Sequence, residues 1–332
     1  MKLEVVSYKE VDQKKWDGLI YDESSNGEFI NSREYLSYHP EGKFIDDSVA
    51  VIDSDSGFLR SLFPAASTLE SRDILISHPG TTFAGIIFDT KQVFLEELTL
   101  HLELLLAYYK AKGFKSIEIR IPPAIYYNHP REDLFFLLWQ KGFKLSGFHL
   151  VSGIYLKDIR NENDLLAAYM PRRRNQIRKL LKEENFIFRK VDRIDDYMWR
   201  SVTENLRERY KSKPTHTFEE ISCLHSRFPE QIVPYVIFEK DTKEYAAFAV
   251  VYKFKKVIHT QYLDLNYKLS KKKPNLFLIH NLRLEALKEN FNYFSLAQVT
   301  ESWGSVLNKG LFEYKKQFGG GWVVFPKFEK SL

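Results

Sequence analysis

The alternation of apolar and polar positions along the 332-residue chain yields two successive series of elements. In the first half, short helical patterns fall near residues 14–20 and 32–38, and alternating runs at 48–53, 58–63 and 74–77 read as strands. The amphipathic stretch KQVFLEELTLHLELLLAYYKAKG predicts a long helix ending at Gly113, because glycine readily supplies the left-handed residue that closes a helix. FKSIEIRI then predicts a strand, residues from about 131 to 140 a helix, and FKLSGFHLVSGIYL a further strand.

The second half repeats this order. FIFRKV reads as a strand and residues 195–210 as a helix, while Thr217-Phe-Glu-Glu220 is a capping box that opens another. Strands are expected at 232–239, 245–253 and 256–263, then a helix LFLIHNLRLEALKEN capped by Asn275, a strand YFSLAQV, a helix over 306–318 and a closing strand WVVF. DLFFLLWQKGFKL (133–145) aligns loosely with GLFEYKKQFGGGW (310–322), each placing a helix and a glycine before a last strand. The repeated order points to an internal duplication. Between the halves, NENDLLAAYMPRRRNQIRKLLKEE predicts one or two helices with Pro171 at a break or first turn. The expected division is residues 1–155 and 156–332, the second part including a basic linker helix at 162–183.

Composition narrows the class. A hydrophobic content of 44% with 28% charged residues belongs to a globular chain with real cores, not to a disordered one. The opening residues MKLEVVSYKEVDQKKW interrupt their apolar positions with charge, so they hold no signal-peptide core, and no apolar run approaches the ~20 residues of a membrane span. The single cysteine, Cys223, excludes an internal disulfide and fits a reducing compartment, so a cytoplasmic location without an integral membrane segment is expected. A net charge of +5 is mildly basic, compatible with a nucleotide, coenzyme A or tRNA as ligand. The histidines show no spacing that suits a metal, and Cys223 and His225, two apart on a helix, point away from each other.

The repeated unit, strand, two helices, three antiparallel strands, helix, strand, helix, strand, resembles the GNAT (GCN5-related acyltransferase) fold. Two such units in tandem resemble the FemAB-like group, which includes the Fem-type peptidyl transferases of bacterial cell-wall synthesis. FSLAQVTESWGSVLNKGLFEYKKQFGGG matches that family's strand, small-polar turn, glycine, aromatic-Lys pair and Phe-Gly, with Tyr314-Lys315 where Phe-Lys is usual. RRRNQIRKL, SHPGTTFAGI and KPTHTFEEI also look like motifs of the group. The resemblance implies an α+β fold of two tandem GNAT-like domains, with mixed, mostly antiparallel sheets flanked by helices. It also implies acyl or aminoacyl transfer to an amine of a cell-envelope precursor or sugar nucleotide. Acyl-coenzyme A-dependent N-acetyl transfer and an inactive binding module remain alternatives. No permanently bound cofactor is expected; aminoacyl-tRNA or acyl-coenzyme A would be the donor substrate, a small or nucleotide-linked molecule the acceptor. One departure bears on the donor. The turn NYKLSKKKPNLF lacks the glycines with which coenzyme A-dependent members cradle pyrophosphate, although Lys271, Lys272, Lys273 and a helix N-terminus can still attract an anion.

Candidate residues follow, each with a plainer alternative. Lys315, paired with Tyr314, can stabilise the oxyanion of a tetrahedral intermediate, or the stretch can be a capped amphipathic helix. Glu301 can serve as general base, or cap a helix. Alternation in VIHTQYLDL puts His259 and Gln261 on one strand face, toward a cleft or a core. Arg174 and Arg178, in the densest basic segment, can contact phosphates or lie on a solvated face. His78, Arg120 and Tyr126 follow strands of the first half and can line an acceptor pocket or pack a loop.

Overall fold

The computed structural model describes residues 2–129 and 131–332. Contacts divide it into two compact units: residues 1–150 with 301–306 and 324–332, and residues 151–300 with 307–323. The sequence places all of 156–332 in one domain; the C-terminal strand instead carries its last residues into the first unit.

The first unit opens with a strand that the charged N-terminal pattern conceals, β1 (Leu3–Ser7). Helices α1 (Gln13–Gly18) and α2 (Arg33–Leu36) follow, capped by Asp12 and Ser32. Then come β2 (Phe44–Asp46), β3 (Val49–Asp53), β4 (Phe58–Phe63), β5 (Ala66–Thr68), β6 (Ser71–Ile76) and β7 (Ile87–Phe88). These strands split between two sheets: β1-β3-β4-β7 form one, while β2, β5 and β6 lie with later strands in another. Pro64 follows β4 directly and has no N–H for the ladder, which suits the change of sheet there. The unit continues through α3 (Leu95–Ala111), β8 (Ser116–Arg120), α4 (Asp133–Gln140) and β9 (Lys144–Tyr155). Its core gathers Phe63, Leu102, Ile119, Leu137 and Phe328, among others.

The second unit starts with two helices, α5 (Glu162–Ala168) and α6 (Pro171–Glu183), broken at Tyr169-Met170 because Pro171 takes the first helical position of α6. The expected elements then follow in order: β10 (Phe186–Lys190), α7 (Asp196–Tyr210), α8 (Phe218–Arg227), β11 (Ile232–Glu239), β12 (Tyr245–Lys253), β13 (Val257–Leu265), α9 (Pro274–Lys288), β14 (Tyr293–Ser295), β15 (Thr300–Glu301), β16 (Val306–Leu307), α10 (Lys309–Lys316) and β17 (Gly321–Ser331). Of these, the two short strands β15 and β16 are not predicted by the sequence pattern. The capping box at Thr217 and Glu220 is present. Strands run in the order β10-β11-β12-β13-β14-β9, antiparallel except for β13 with β14.

Three local expectations are corrected. Asn275 does not cap α9: Pro274 occupies the first turn, Lys273 precedes it in a left-handed conformation, and Asn275 bonds Tyr314 instead. The strand expected over 293–299 stops at Ser295, since Ala297 adopts a φ of 59°. The helix expected from 306 begins at Lys309, where Asn308 accepts the Leu311 N–H at 3.0 Å.

After α10 the chain turns on Gly319 (φ 77°) and Gly320 (φ 105°). A Cβ at Gly319 would collide with the carbonyl of Ala168, and one at Gly320 with Ile154. Both the left-handed backbone and the close approach therefore require glycine. Gly319→Ala should destabilise the chain by on the order of 2–4 kcal/mol, combining left-handed strain with overpacking. Urea denaturation of parent and variant checks this; unchanged stability would mean that the turn relaxes freely.

Candidate functional site

Two strands that part from each other frame the site. β13 and β14 pair only at Val257 with Tyr293, Ile258 with Phe294 and His259 with Ser295. Beyond that point Thr260 Oγ1 reaches back to the Ser295 carbonyl at 3.1 Å, and β14 ends. On the other side of β13 the register with β12 shifts: Val250 faces Tyr262 and Val251 faces Thr260, which leaves Gln261 as the extra residue of a bulge. Of the two faces read from the sequence, Thr260, Tyr262 and Asp264 are buried, while His259 and Gln261 are partly exposed.

Lys315 lies in the last turn of α10 and is 6% exposed. Its Nζ donates to the Gln298 carbonyl at 2.7 Å. Desolvation lowers its proton affinity to a pKa of about 7, with no carboxylate among the described residues opposing that shift. The amine is thus near half-protonation at neutral pH. The adjacent Lys316 is different, for its Nζ lies 3.4 Å from Glu313 in an exposed pair. Adjacent helical positions diverge by about 100°, and here they separate a buried amine from a solvated one. His259 bonds Ser295 Oγ through Nδ1 at 3.2 Å; burial and, secondly, the Lys315 charge depress its pKa to about 3, so its ring is neutral.

A cavity of about 350 Å³ adjoins the N-terminal end of α9 and is lined by Arg172, Arg173, Lys273, Asn275, Tyr314 and Gln317, among others. Tyr314 is half-buried, its hydroxyl accepting from Asn275 Nδ2 at 2.8 Å. Arg173 is 5% exposed, with its guanidinium 5.0 Å from the Tyr314 ring centre and 4.6 Å from that of Phe318. Its Nη1 donates to Gln176 at 3.1 Å, while Nε has no hydrogen-bond partner among the described residues. A second cavity, about 270 Å³, is lined by Thr215, Gln261, Tyr262 and Asp264, and Leu265 lines both. There Asp264 accepts from Ser201 at 2.6 Å, from Asn205 at 2.7 Å and from Tyr245. Tyr262 bonds His216 at 2.7 Å, and burial pushes its phenol up to about 12.

The structure thus brings Lys315 near His259, while Tyr314 lines the first cavity and Gln261 the second. Arg174 is occupied otherwise, donating to the carbonyls of Ala167 and Tyr169 at 2.9 and 3.1 Å, whereas Arg178 is exposed. In the first unit, His78 is buried at a turn with φ 31°, its ring packed near His39 and Phe44 and held neutral by burial, with a pKa of about 4. Arg120 pairs with Glu118 at 2.6 Å, and Tyr126 packs on Phe83. Glu301 is exposed and groups with the first unit, whereas Lys315 and Tyr314 belong to the second. The sequence reading places Arg173 in the densest basic segment but singles out Arg174 and Arg178 there instead. The signal was available: Arg173, Ile177 and Leu180 have the spacing of one helix face, and all three are buried. Among the described residues no group of three or more His, Cys, Asp or Glu is placed to hold a metal, and no helix is long and apolar enough to cross a membrane.

No protein-family model and no curated protein matches the sequence. Solved structures do. The chain superposes on the crystal structure of FemX with a TM-score of 0.70 at 12% identity, covering 100% of this chain and 98% of that one. L-PGS from Bacillus licheniformis gives 0.58 at 14% identity, covering 96% and 91%. A tandem GNAT protein from the clavulanic acid biosynthesis pathway gives 0.56 at 9% identity, covering 99% and 98%. These likenesses show the fold: two tandem GNAT-like domains, resembling the FemAB-like type, with mixed and mostly antiparallel sheets flanked by helices.

The buried amine has a consequence for stability. Lys315 binds its proton less tightly folded (about 7) than at the ordinary lysine value of 10.5. Between these values the unfolded chain holds more protons, so stability falls as pH drops from 10.5 towards 7 and the loss is complete below 7. Lys315→Met does not titrate. Its stability relative to the parent should improve by about 1.4 kcal/mol per pH unit as pH falls through that window, and level off below it. Urea titrations from pH 6 to 9.5 read this directly; parallel curves would show an amine of ordinary proton affinity.

Proposed function

We propose that the chain is an enzyme that transfers an acyl or aminoacyl group to an amine, with Lys315 at the transfer centre. The observation that carries this reading is a buried amine, with no carboxylate among the described residues to neutralise it, fixed on a main-chain carbonyl next to the point where β13 and β14 separate. In its protonated form such a group lacks a counter-charge. A tetrahedral intermediate supplies one: the acceptor nitrogen bonds to the acyl carbon, the carbonyl electron pair moves to oxygen, and the resulting oxyanion pairs with the ammonium. Collapse re-forms the carbonyl, expels the donor's leaving group and releases the proton that the amine gives up. A neutral His259 beside the ammonium adds no competing positive charge.

The donor follows from the neighbouring cavity. Arg172, Arg173 and Lys273 face it, so an anionic, phosphate-bearing carrier fits its chemistry. The family resemblance favours aminoacyl-tRNA as that carrier, because α9 begins with lysine and proline where a coenzyme A cradle needs glycines and free N–H groups. The acceptor is an amine of a cell-envelope precursor or a sugar nucleotide, a reading supported by the likeness to FemX and L-PGS. The fold likeness to a tandem GNAT protein, whose structure is described without AcCoA, keeps acyl-coenzyme A as the rival donor.

Lys315→Ala should lower kcat/KM by roughly 10²–10³-fold, the scale of one lost oxyanion donor. Lys316→Ala should stay within about twofold, being a solvated charge. Equal, small effects from both would remove Lys315 from the chemistry. Donor class is read from thermal shifts, since a ligand specific for the native state raises Tm. Aminoacyl-tRNA should raise it and Arg173→Met should abolish the rise. Stabilisation by coenzyme A alone would transfer the reading to acyl-coenzyme A chemistry, and stabilisation by a nucleotide-sugar without turnover to a binding module.

A further inference from the structure

Arg283, on α9, is fully buried at 0% exposure. Its Nη1 donates to the Phe318 carbonyl at 2.7 Å, and its guanidinium lies 4.7 Å from the centre of the Tyr169 ring. The Tyr169 hydroxyl is bonded to His280 Nδ1 at 3.0 Å, and His280 Nε2 lies 2.9 Å from Glu162 Oε1. A chain of contacts therefore runs from a carboxylate on α5, through two buried rings, to the residue just past the end of α10. Phe318 N–H in turn donates to the Lys315 carbonyl at 3.0 Å, so this grip is one hydrogen bond removed from the residue that carries the buried amine. The same segment is held by the Met170 N–H on the Gln317 carbonyl at 3.1 Å and by the close seat of Gly319 on Ala168.

A guanidinium is an expensive way to fill a core. Desolvation lowers the Arg283 pKa, and among the described residues Tyr169, not a carboxylate, counters it. An apolar side chain of similar length would fill the space at smaller electrostatic cost, so packing alone does not account for a cation here. Holding one particular carbonyl does. One N–H, on Nη1, fixes the end of α10 in a way that methionine cannot, while Nε and Nη2 have no hydrogen-bond partner among the described residues. Held over the Tyr169 ring, the planar group keeps that donor aimed as a flexible lysine does not.

We propose that Arg283, braced by Tyr169, His280 and Glu162, is a positioning residue that fixes the end of α10 and with it the depth at which the Lys315 amine is buried. This rests on the reading of Lys315 given above. If the last turn of α10 loosens, Nζ loses its seat on Gln298, water reaches the amine, and the amine behaves as an ordinary lysine. His259 is close enough to feel the Lys315 charge, and it stays neutral throughout the relevant pH range, so burial alone sets the proton affinity of the amine.

The test follows the Lys315 Nζ by NMR in protein labelled with ¹⁵N at lysine Nζ, with Lys315→Arg identifying the signal. The parent should titrate near 7. In Arg283→Lys, which keeps the charge and loses the planar group over the Tyr169 ring, the midpoint should rise by about one pH unit or more, as expected when a buried amine regains water. Turnover should fall about tenfold at unchanged KM, as for a loosened transition-state contact. Tyr169→Phe keeps the ring under the guanidinium and drops the link to His280; it should move the midpoint in the same direction by less, and is the variant to rely on if Arg283→Lys fails to fold. A folded Arg283→Lys that titrates as the parent does overturns the positioning role and leaves the reading of Lys315 intact; should only Tyr169→Phe fold, its unchanged midpoint does the same. A parent midpoint near 10.5 would instead overturn the reading of Lys315 itself.

Discussion

A single amine held out of water against one carbonyl is the constraint around which the second unit is arranged. Lys315 reaches Gln298 only because α10 ends where it does, and α10 ends there because Gly319 and Gly320 let the chain pass against Ala168 and Ile154. Three buried cations surround this short segment: Lys315 itself, Arg173 over the Tyr314 and Phe318 rings, and Arg283 on the Phe318 carbonyl. None has a carboxylate partner among the described residues. Burying uncompensated cations opposes folding, so their persistence together is better explained by what they bind and hold than by stability.

The sheet supplies the complementary half of the arrangement. β13 keeps β14 for three residue pairs and then loses it, while the bulge at Gln261 re-aims the strand on its other edge. Two cavities share Leu265 as a lining residue, one cationic and one built around a hydrogen-bonded Asp264. Chemistry that brings an anionic carrier and an amine together needs such unlike surfaces side by side, with a charge-stabilising group near both. On this view the tandem fold is the scaffold, and the function resides in a few side chains at the ends of β13 and α10.

Much of this was legible in the sequence. Periodicity located the long helices and nearly every strand of the second unit, because those segments are buried on defined faces. The aromatic-lysine pair and the glycines at 319–321 singled out Lys315 before any coordinates, through the family resemblance. What escaped was non-local. For Arg174 the sequence leaves phosphate contact or a solvated face open, and the side chain instead caps carbonyls of its own linker. For His78 it leaves a pocket or loop packing open, and the ring is packed at a turn. Arg283 sits in an unremarkable helical heptad, and nothing in LFLIHNLRLEALKEN says that its guanidinium will meet a carbonyl 35 residues away. β1 was hidden because its burial comes from pairing with β3, not from its own composition.

The claim that Lys315 faces the reacting carbonyl is tested most directly by a crystal structure with a tetrahedral-intermediate mimic, a phosphonamidate joining the donor's acyl group to the acceptor amine. The account predicts a phosphonate oxygen within about 3 Å of Lys315 Nζ, the distance expected of an oxyanion donor. A bound mimic whose phosphonate lies elsewhere, with Lys315 still directed only at the Gln298 carbonyl, would contradict it.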